Sequence, residues 1–215
     1  MSKASTHLAT VCVHMKALIR RVGPPRIEAD AHSPYEALIR AIAHQQLNGT
    51  AARTITGRLV ALYQDTGGFP TPHQLLATDD GILRGCGFSG GKVAALRDIA
   101  ARTLEGVVPT RAAAKRLSDA ALVERLTSIR GVGRWTVEML LMHTLGRPDV
   151  WPVDDFGVRE GYRILHGLEV QPRPKVLLEM GEIYGPYRSA AAWYCWRAVD
   201  QAKAVKVGAV KVGQE

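Results

Sequence analysis

The segment Leu126-Thr127-Ser128-Ile129-Arg130-Gly131-Val132-Gly133-Arg134-Trp135-Thr136-Val137-Glu138-Met139-Leu140-Leu141-Met142 joins two helical patterns through one short turn. Apolar residues at helical spacing run through Val123 and Leu126 to about Ile129, and a second pattern starts at Arg134. Gly131 and Gly133 flank Val132 between them, so the turn has access to backbone angles closed to residues that carry a side chain. Nothing then shields the first amides of the second helix. Those N–H groups, at the positive end of the helix dipole, form a seat for an anion such as a phosphate oxygen. Gly-x-Gly before a helix is also common in plain interhelix turns, so the neighbouring residues must decide its meaning.

Arg134 places a cation at the positive end of the new helix, a cost of about 0.3–1 kcal/mol that a bound anion would reverse. Trp135 follows it. Twenty residues beyond that Trp, Trp151-Pro152-Val153-Asp154-Asp155-Phe156 brings an acidic pair after a proline, where a fresh helix begins. One carboxylate is expected to cap this helix and leave the other free. The residues alone leave open which of Asp154 and Asp155 does which.

A chain of 215 residues can bury a substantial core, in one large domain or two small ones. The formal charge of +8 and a pI near 9.7 favour anionic partners, nucleic acid among them, although a solubility charge would look the same. Cys12, Cys86 and Cys195 are too few and too scattered for a disulfide framework or a four-thiolate cluster. A reducing, cytoplasmic compartment is expected. No secretory pattern opens the chain and no apolar run approaches roughly 18 residues, so neither export nor a membrane partner is expected.

Along the rest of the chain the periodicity is helical nearly everywhere, which makes the expected fold all-α. His7 to Arg21 reads as one helix stopped by Val22-Gly23-Pro24-Pro25. Ser33-Pro34-Tyr35-Glu36 carries a capping Ser, a Pro in the first helical position and a Glu three residues after the cap. The helix it starts ends in His44-Gln45-Gln46-Leu47-Asn48, where polar residues interrupt the apolar stripe. Ser118 is expected to cap the helix that enters the glycine turn, and Thr71 or Thr78 to cap an earlier one. Glycine-rich Leu83 to Lys92 links two further helices. The aromatic group Trp193, Tyr194 and Trp196 on the last helix suits a core, and the repeated Ala-Val-Lys-Val-Gly of residues 204–213 reads as a disordered tail or a small hairpin.

Taken together, Gly131-Val132-Gly133-Arg134-Trp135-Thr136 and the acid at Asp155 resemble the helix-hairpin-helix DNA glycosylase superfamily, in its 3-methyladenine DNA glycosylase II branch. The likeness extends from about Tyr35 to Trp196; the family's Leu-Pro before the hairpin is Ile129-Arg130 here. It implies two helical lobes with a cleft between them. One lobe is the central domain 35–147, ending in the helix-hairpin-helix; the other joins 1–34 to 148–203, and 204–215 is a basic tail. The family pattern Pro-x-x-Asp makes Asp155 the catalytic carboxylate, with Asp154 as the alternative. Trp135, Met139 (where the family has Tyr), Phe156 and Trp196 would line the base pocket. Gln45, Gln46, Lys92, Gly131, Val132, Gly133, Arg134 and Thr136 would contact DNA, with Gln46 as a wedge that fills the gap left by an extruded nucleotide. Leu47 is an alternative to it, as a buried neighbour. No cofactor and no side-chain metal site are implied, although carbonyls of Ile129 and Val132 could hold a monovalent cation.

The chemistry implied is loss of a base from deoxyribose. Cleavage of the N-glycosidic bond leaves positive charge on the sugar, and a fixed carboxylate in a desolvated site stabilises it and can orient the attacking water. Bifunctional members carry a Lys where Trp135 stands; an indole cannot attack the sugar, so a monofunctional enzyme without lyase activity is expected. Electron-rich rings favour cationic, alkylated purines by roughly 0.5–2 kcal/mol. The expected partner is double-stranded DNA containing a damaged base, met by a monomer. A non-catalytic helix-hairpin-helix DNA-binding protein and a glycosylase for oxidised or mismatched bases remain the alternatives.

Overall fold

The computed structural model describes residues 2–47 and 49–212, with the side chains of all but Thr66 and residues 205–212. Among the described residues there is no strand, and the chain is all-α. The helices are α1 (Lys3–Val11), α2 (Val13–Val22), α3 (Pro34–His44), α4 (Gly49–Ala61), α5 (Pro72–Ala77), α6 (Asp80–Gly85), α7 (Gly90–Leu104), α8 (Arg111–Arg116), α9 (Asp119–Leu126), α10 (Arg134–Met139), α11 (Phe156–His166), α12 (Pro174–Met180) and α13 (Arg188–Val212). They form two compact units, Ala29–Leu145 and a split unit of Met1–Glu28 with Gly146–Glu215.

Local signals set most helix starts. Ser33 accepts the Glu36 amide at 3.2 Å with Pro34 in the first turn, and Ser118 accepts that of Ala121 at 3.2 Å. Thr71 rather than Thr78 opens α5, in a capping box with Gln74, while Thr78 ends it. These caps each contribute about 1 kcal/mol. The expected single helix over His7 to Arg21 is instead two, broken at Cys12, whose extended backbone lets its sulfur cap α2 by accepting the Met15 amide at 3.4 Å.

In the Ala29–Leu145 unit, Leu38, Ile39 and Ile42 of α3 are fully buried, and α3 packs on α4, α7 and α10. The Asp30 amide donates to the His143 carbonyl at 2.8 Å and Arg111 to the His32 carbonyl at 2.8 Å. Those bonds bring the segment before Tyr35 into this unit. Past Met139 the helix widens into a π-helical turn, Leu140–Thr144, closed by the Leu145 amide on the Leu140 carbonyl at 3.0 Å.

The split unit is built on α11 against α13. At their closest approach a β-carbon on Gly161 would lie 1.9 Å from the Cys195 carbonyl oxygen, so only glycine permits this crossing. Arg188 clasps Asp149 through two bonds of 2.8 and 2.7 Å, which holds the Asp149 carboxyl below its usual range and fixes the start of α13. The backbone of the helix is described to Val212, not as the hairpin expected as one option for 204–213; residues 213–215 lie outside the described residues.

Candidate active site

The hairpin turn follows the sequence in outline and refines it in detail. Gly131 adopts φ +77°, and a β-carbon there would stand 2.7 Å from that of Ala95 on α7. Gly133 has an ordinary extended backbone; its use is different, for it is the N-cap of α10, has no capping side chain, and leaves open space around its α-carbon. An anion can therefore approach the first amides of α10. Val132 contributes less than expected. Its side chain is buried and its amide already donates to the Ile129 carbonyl at 3.1 Å. Arg134 is exposed and folds along its own helix to Glu138, 2.9 Å away, so the carboxylate offsets its unfavourable place at the positive helix end.

Three residues expected at the DNA contact make hydrogen bonds within the protein. Thr136 is 1% exposed, too deep to reach a phosphate with its hydroxyl. That hydroxyl accepts from Gln45 Nε2 at 3.2 Å, and the same amide donates to the Gly131 carbonyl at 2.9 Å. Gln45 thus braces the turn rather than facing solvent DNA. Lys92 extends its ammonium to the Ala43 and Gln45 carbonyls, at 3.2 and 2.8 Å, satisfying the open end of α3; partial burial lowers its pKa. Gln46 is exposed, and it is the one described non-glycine residue with positive φ, +58°. Such a backbone costs about 1–3 kcal/mol and persists only where the surroundings fix it. Leu47, the alternative wedge neighbour, is also exposed rather than buried.

Within the same unit a cavity of about 370 Å³ is lined by Trp135 and Met139, as the sequence suggests, and by Asp30, Arg40, His44 and His143, which the sequence does not reveal. Its chemistry is mostly apolar with few free charges. Arg40 is held by Glu36 through bonds of 2.9 and 2.7 Å and lies over the Phe69 ring. Burial lowers the pKa of His44, aided by Arg53, Lys92 and Arg40; burial also lowers that of His143, against an opposing pull from Asp30. Both imidazoles therefore favour the neutral form, and among the described residues no lysine lines the cavity.

The split unit holds the carboxylate. Asp155, not Asp154, caps α11: its Oδ1 accepts the Val158 amide at 2.7 Å and the Trp196 indole N–H at 2.9 Å. Asp154 is exposed. The cap therefore falls on the second carboxylate of the pair rather than the first. The indole of Trp196 is so close that a β-carbon on Gly157 would come within 2.8 Å of its Cδ1. Trp196 is therefore the partner that orients Asp155, a role its assignment to a pocket wall did not include. Phe156 is 70% exposed and forms an open face, not a buried wall. Among the described residues no cluster of three His, Cys, Asp or Glu could hold a metal, and no described helix is long and apolar enough to cross a membrane.

A glycine-capped hairpin in one helical unit and a hydrogen-bonded aspartate opening a helix in the other fit one class of protein, and residues 39–185 match the HhH-GPD superfamily base excision DNA repair protein family. The chain belongs to that family. It is 45% identical over 199 residues to DNA-3-methyladenine glycosylase 1 of Schizosaccharomyces pombe, covering 92% of this chain and 87% of that protein. The crystal structure of the S. pombe 3-methyladenine DNA glycosylase with abasic DNA is similar at a TM-score of 0.86, over 91% of this chain and 96% of that one. A DNA-3-methyladenine glycosidase from Bacillus halodurans, 29% identical, is similar at 0.78 over 92% and 89%.

Proposed function

We propose that the chain is a monofunctional DNA glycosylase that hydrolyses the N-glycosidic bond of 3-methyladenine- and 7-methylguanine-type bases in double-stranded DNA and leaves an abasic site. The observation that carries the reading is Asp155, half-buried and oriented through one oxygen by an indole N–H and a backbone amide. As the C1′–N bond breaks, the electron pair leaves with the base, and the sugar gains positive charge that this carboxylate opposes. Water then adds to C1′, and its proton passes to the carboxylate or to solvent. Alkylation makes the purine cationic and a good leaving group, so no strong acid is needed at the base.

The cavity beside Trp135 and Met139 is the proposed receptor for the base. Its neutral imidazoles and paired arginine add little repulsion toward a cation, and the indole face attracts one. Trp135, whose indole cannot attack the sugar, lines the cavity, which supports hydrolysis without a Schiff base. Gly133 and Arg134 offer amides to a DNA phosphate, and Gln46 is the wedge. The Ile129 carbonyl, which gives one lone pair to Val132, keeps another that suits a monovalent cation shared with the Val132 carbonyl. The chain is read as acting on DNA as a monomer. The test is release of 3-methyladenine and 7-methylguanine from methylated duplex DNA, with borohydride trapping in parallel. Free methylated base without a trapped adduct is the expected result; binding without release would overturn the enzyme reading, and a strong adduct the monofunctional one.

A further inference from the structure

Three positions on one face of α7 meet two different parts of the Ala29–Leu145 unit. Lys92 donates to the Ala43 and Gln45 carbonyls at the end of α3. Ala95, one turn on, abuts Gly131, and Asp98, another turn on, accepts the Arg130 amide at 2.6 Å. Positions i, i+3 and i+6 share a helix face, so the end of α3 and the hairpin turn are registered against one rigid element. Gln45 closes the triangle from the other side, with its backbone carbonyl on Lys92 and its side-chain amide on Gly131 and Thr136. The next residue is Gln46, the exposed residue in the left-handed conformation.

We infer that Lys92 and Gln45 are positioning residues that preset Gln46 relative to the phosphate-binding turn, and that Lys92 does not itself neutralise a DNA phosphate. This rests on Gln46 being the side chain that fills the vacated base stack. An ammonium already donating to two carbonyls is poorly placed to release a DNA counterion, whereas removing it frees the C-terminal carbonyls of α3 and lets the turn relax away from its left-handed form. The wedge would then be misplaced by an ångström or so, which is enough to slow extrusion without abolishing binding.

The experiment combines Lys92→Met, Gln46→Ala and their double variant, using a duplex with a single 7-methylguanine. Single-turnover base release and the salt dependence of duplex affinity are both read. Lys92→Met is expected to lose about ten- to a hundredfold in single-turnover rate, with the slope of log affinity against log salt unchanged. The double variant is expected to be no slower than the slower single one, because both act on the same wedge. A slope smaller by about 0.9 would mark Lys92 as a phosphate contact and overturn the inference; so would multiplicative losses in the double variant. If Gln46→Ala alone releases base at the full rate, the wedge reading itself falls, which is a separate outcome. Should Lys92→Met fold poorly, Gln45→Met, which removes the donor to Gly131 and Thr136, must show the same pattern of slow release and unchanged salt slope.

Discussion

Asp155 in one unit and Gln45 in the other, both assigned to the proposed site, are held in opposite ways. Asp155 receives: two N–H donors converge on one of its oxygens, one from the backbone of its own helix and one from an indole 41 positions away. Gln45 gives: its amide donates to a carbonyl and a hydroxyl of the hairpin, while its own carbonyl is taken by Lys92. The difference follows from what each unit must present. A carboxylate that opposes developing charge needs its orientation fixed. A surface that presents backbone amides to a phosphate needs the backbone fixed, so the side chains work inward.

Removing the charge while keeping the cap is the most severe way to test that contrast. Asp155→Asn should lower single-turnover base release by at least about a thousandfold, yet leave the thermal midpoint nearly unchanged, since Asn caps helices as well as Asp does. If the midpoint drops steeply instead, the carboxylate is structural and the contrast disappears. Trp196→Phe keeps the ring and deletes the donor. A hydrogen bond to a charged group is worth about 1.5–3 kcal/mol, so release should slow by about ten- to a hundredfold with little change in KM, and a change confined to KM would place the indole in base binding instead.

On the other side of the comparison the expected losses are in stability and binding. Gly131→Ala combines a left-handed backbone with a β-carbon 2.7 Å from Ala95. It should cost about 1–3 kcal/mol in urea unfolding, with weaker duplex affinity measured alongside. The last prediction concerns pH and needs no change to either proposed site. His166 stacks on Tyr162, meets the Tyr184 hydroxyl at 3.1 Å, and has its pKa lowered by burial and by His14 to about 4, from 6.5. As pH falls from 6.5 toward 4, the unfolded chain takes up a proton that the folded one refuses. Stability should decline across that window and level off below it, and His166→Gln should flatten the decline in urea titrations at stepped pH.

The elements written in adjacent residues were legible. Ser33-Pro34-Tyr35-Glu36 and Ser118 mark their helix starts, and Gly131 marks its turn, because caps and positive φ are local demands. Asp155 was legible as the proposed catalytic acid but not as the cap, since neighbouring carboxylates offer a helix start nearly the same acceptor and only the path of Val153 to Phe156 separates them. The break at Cys12 left no polar signal, as the cap is a thiol between two valines. The roles of Lys92, Gln45 and Trp196 were not legible at all. Each is a hydrogen bond across 41 to 91 positions, set by which helix faces meet, and a basic or amide side chain in a glycine-rich segment looks the same whether it points to DNA or to a carbonyl.

The π-helical turn Leu140–Thr144 bears on how this cavity could change over time. Met139, Leu140, His143 and Thr144 all line the cavity, so the widened turn sits in its wall. A turn of this kind holds one residue more than an α-helical turn spans, and each residue advances the face by about 100°. Deleting a single residue there would swing the later side chains to a new bearing while the helix itself stayed whole. A change of length in this turn would thus reshape the cavity wall without exchanging any one of its side chains for another.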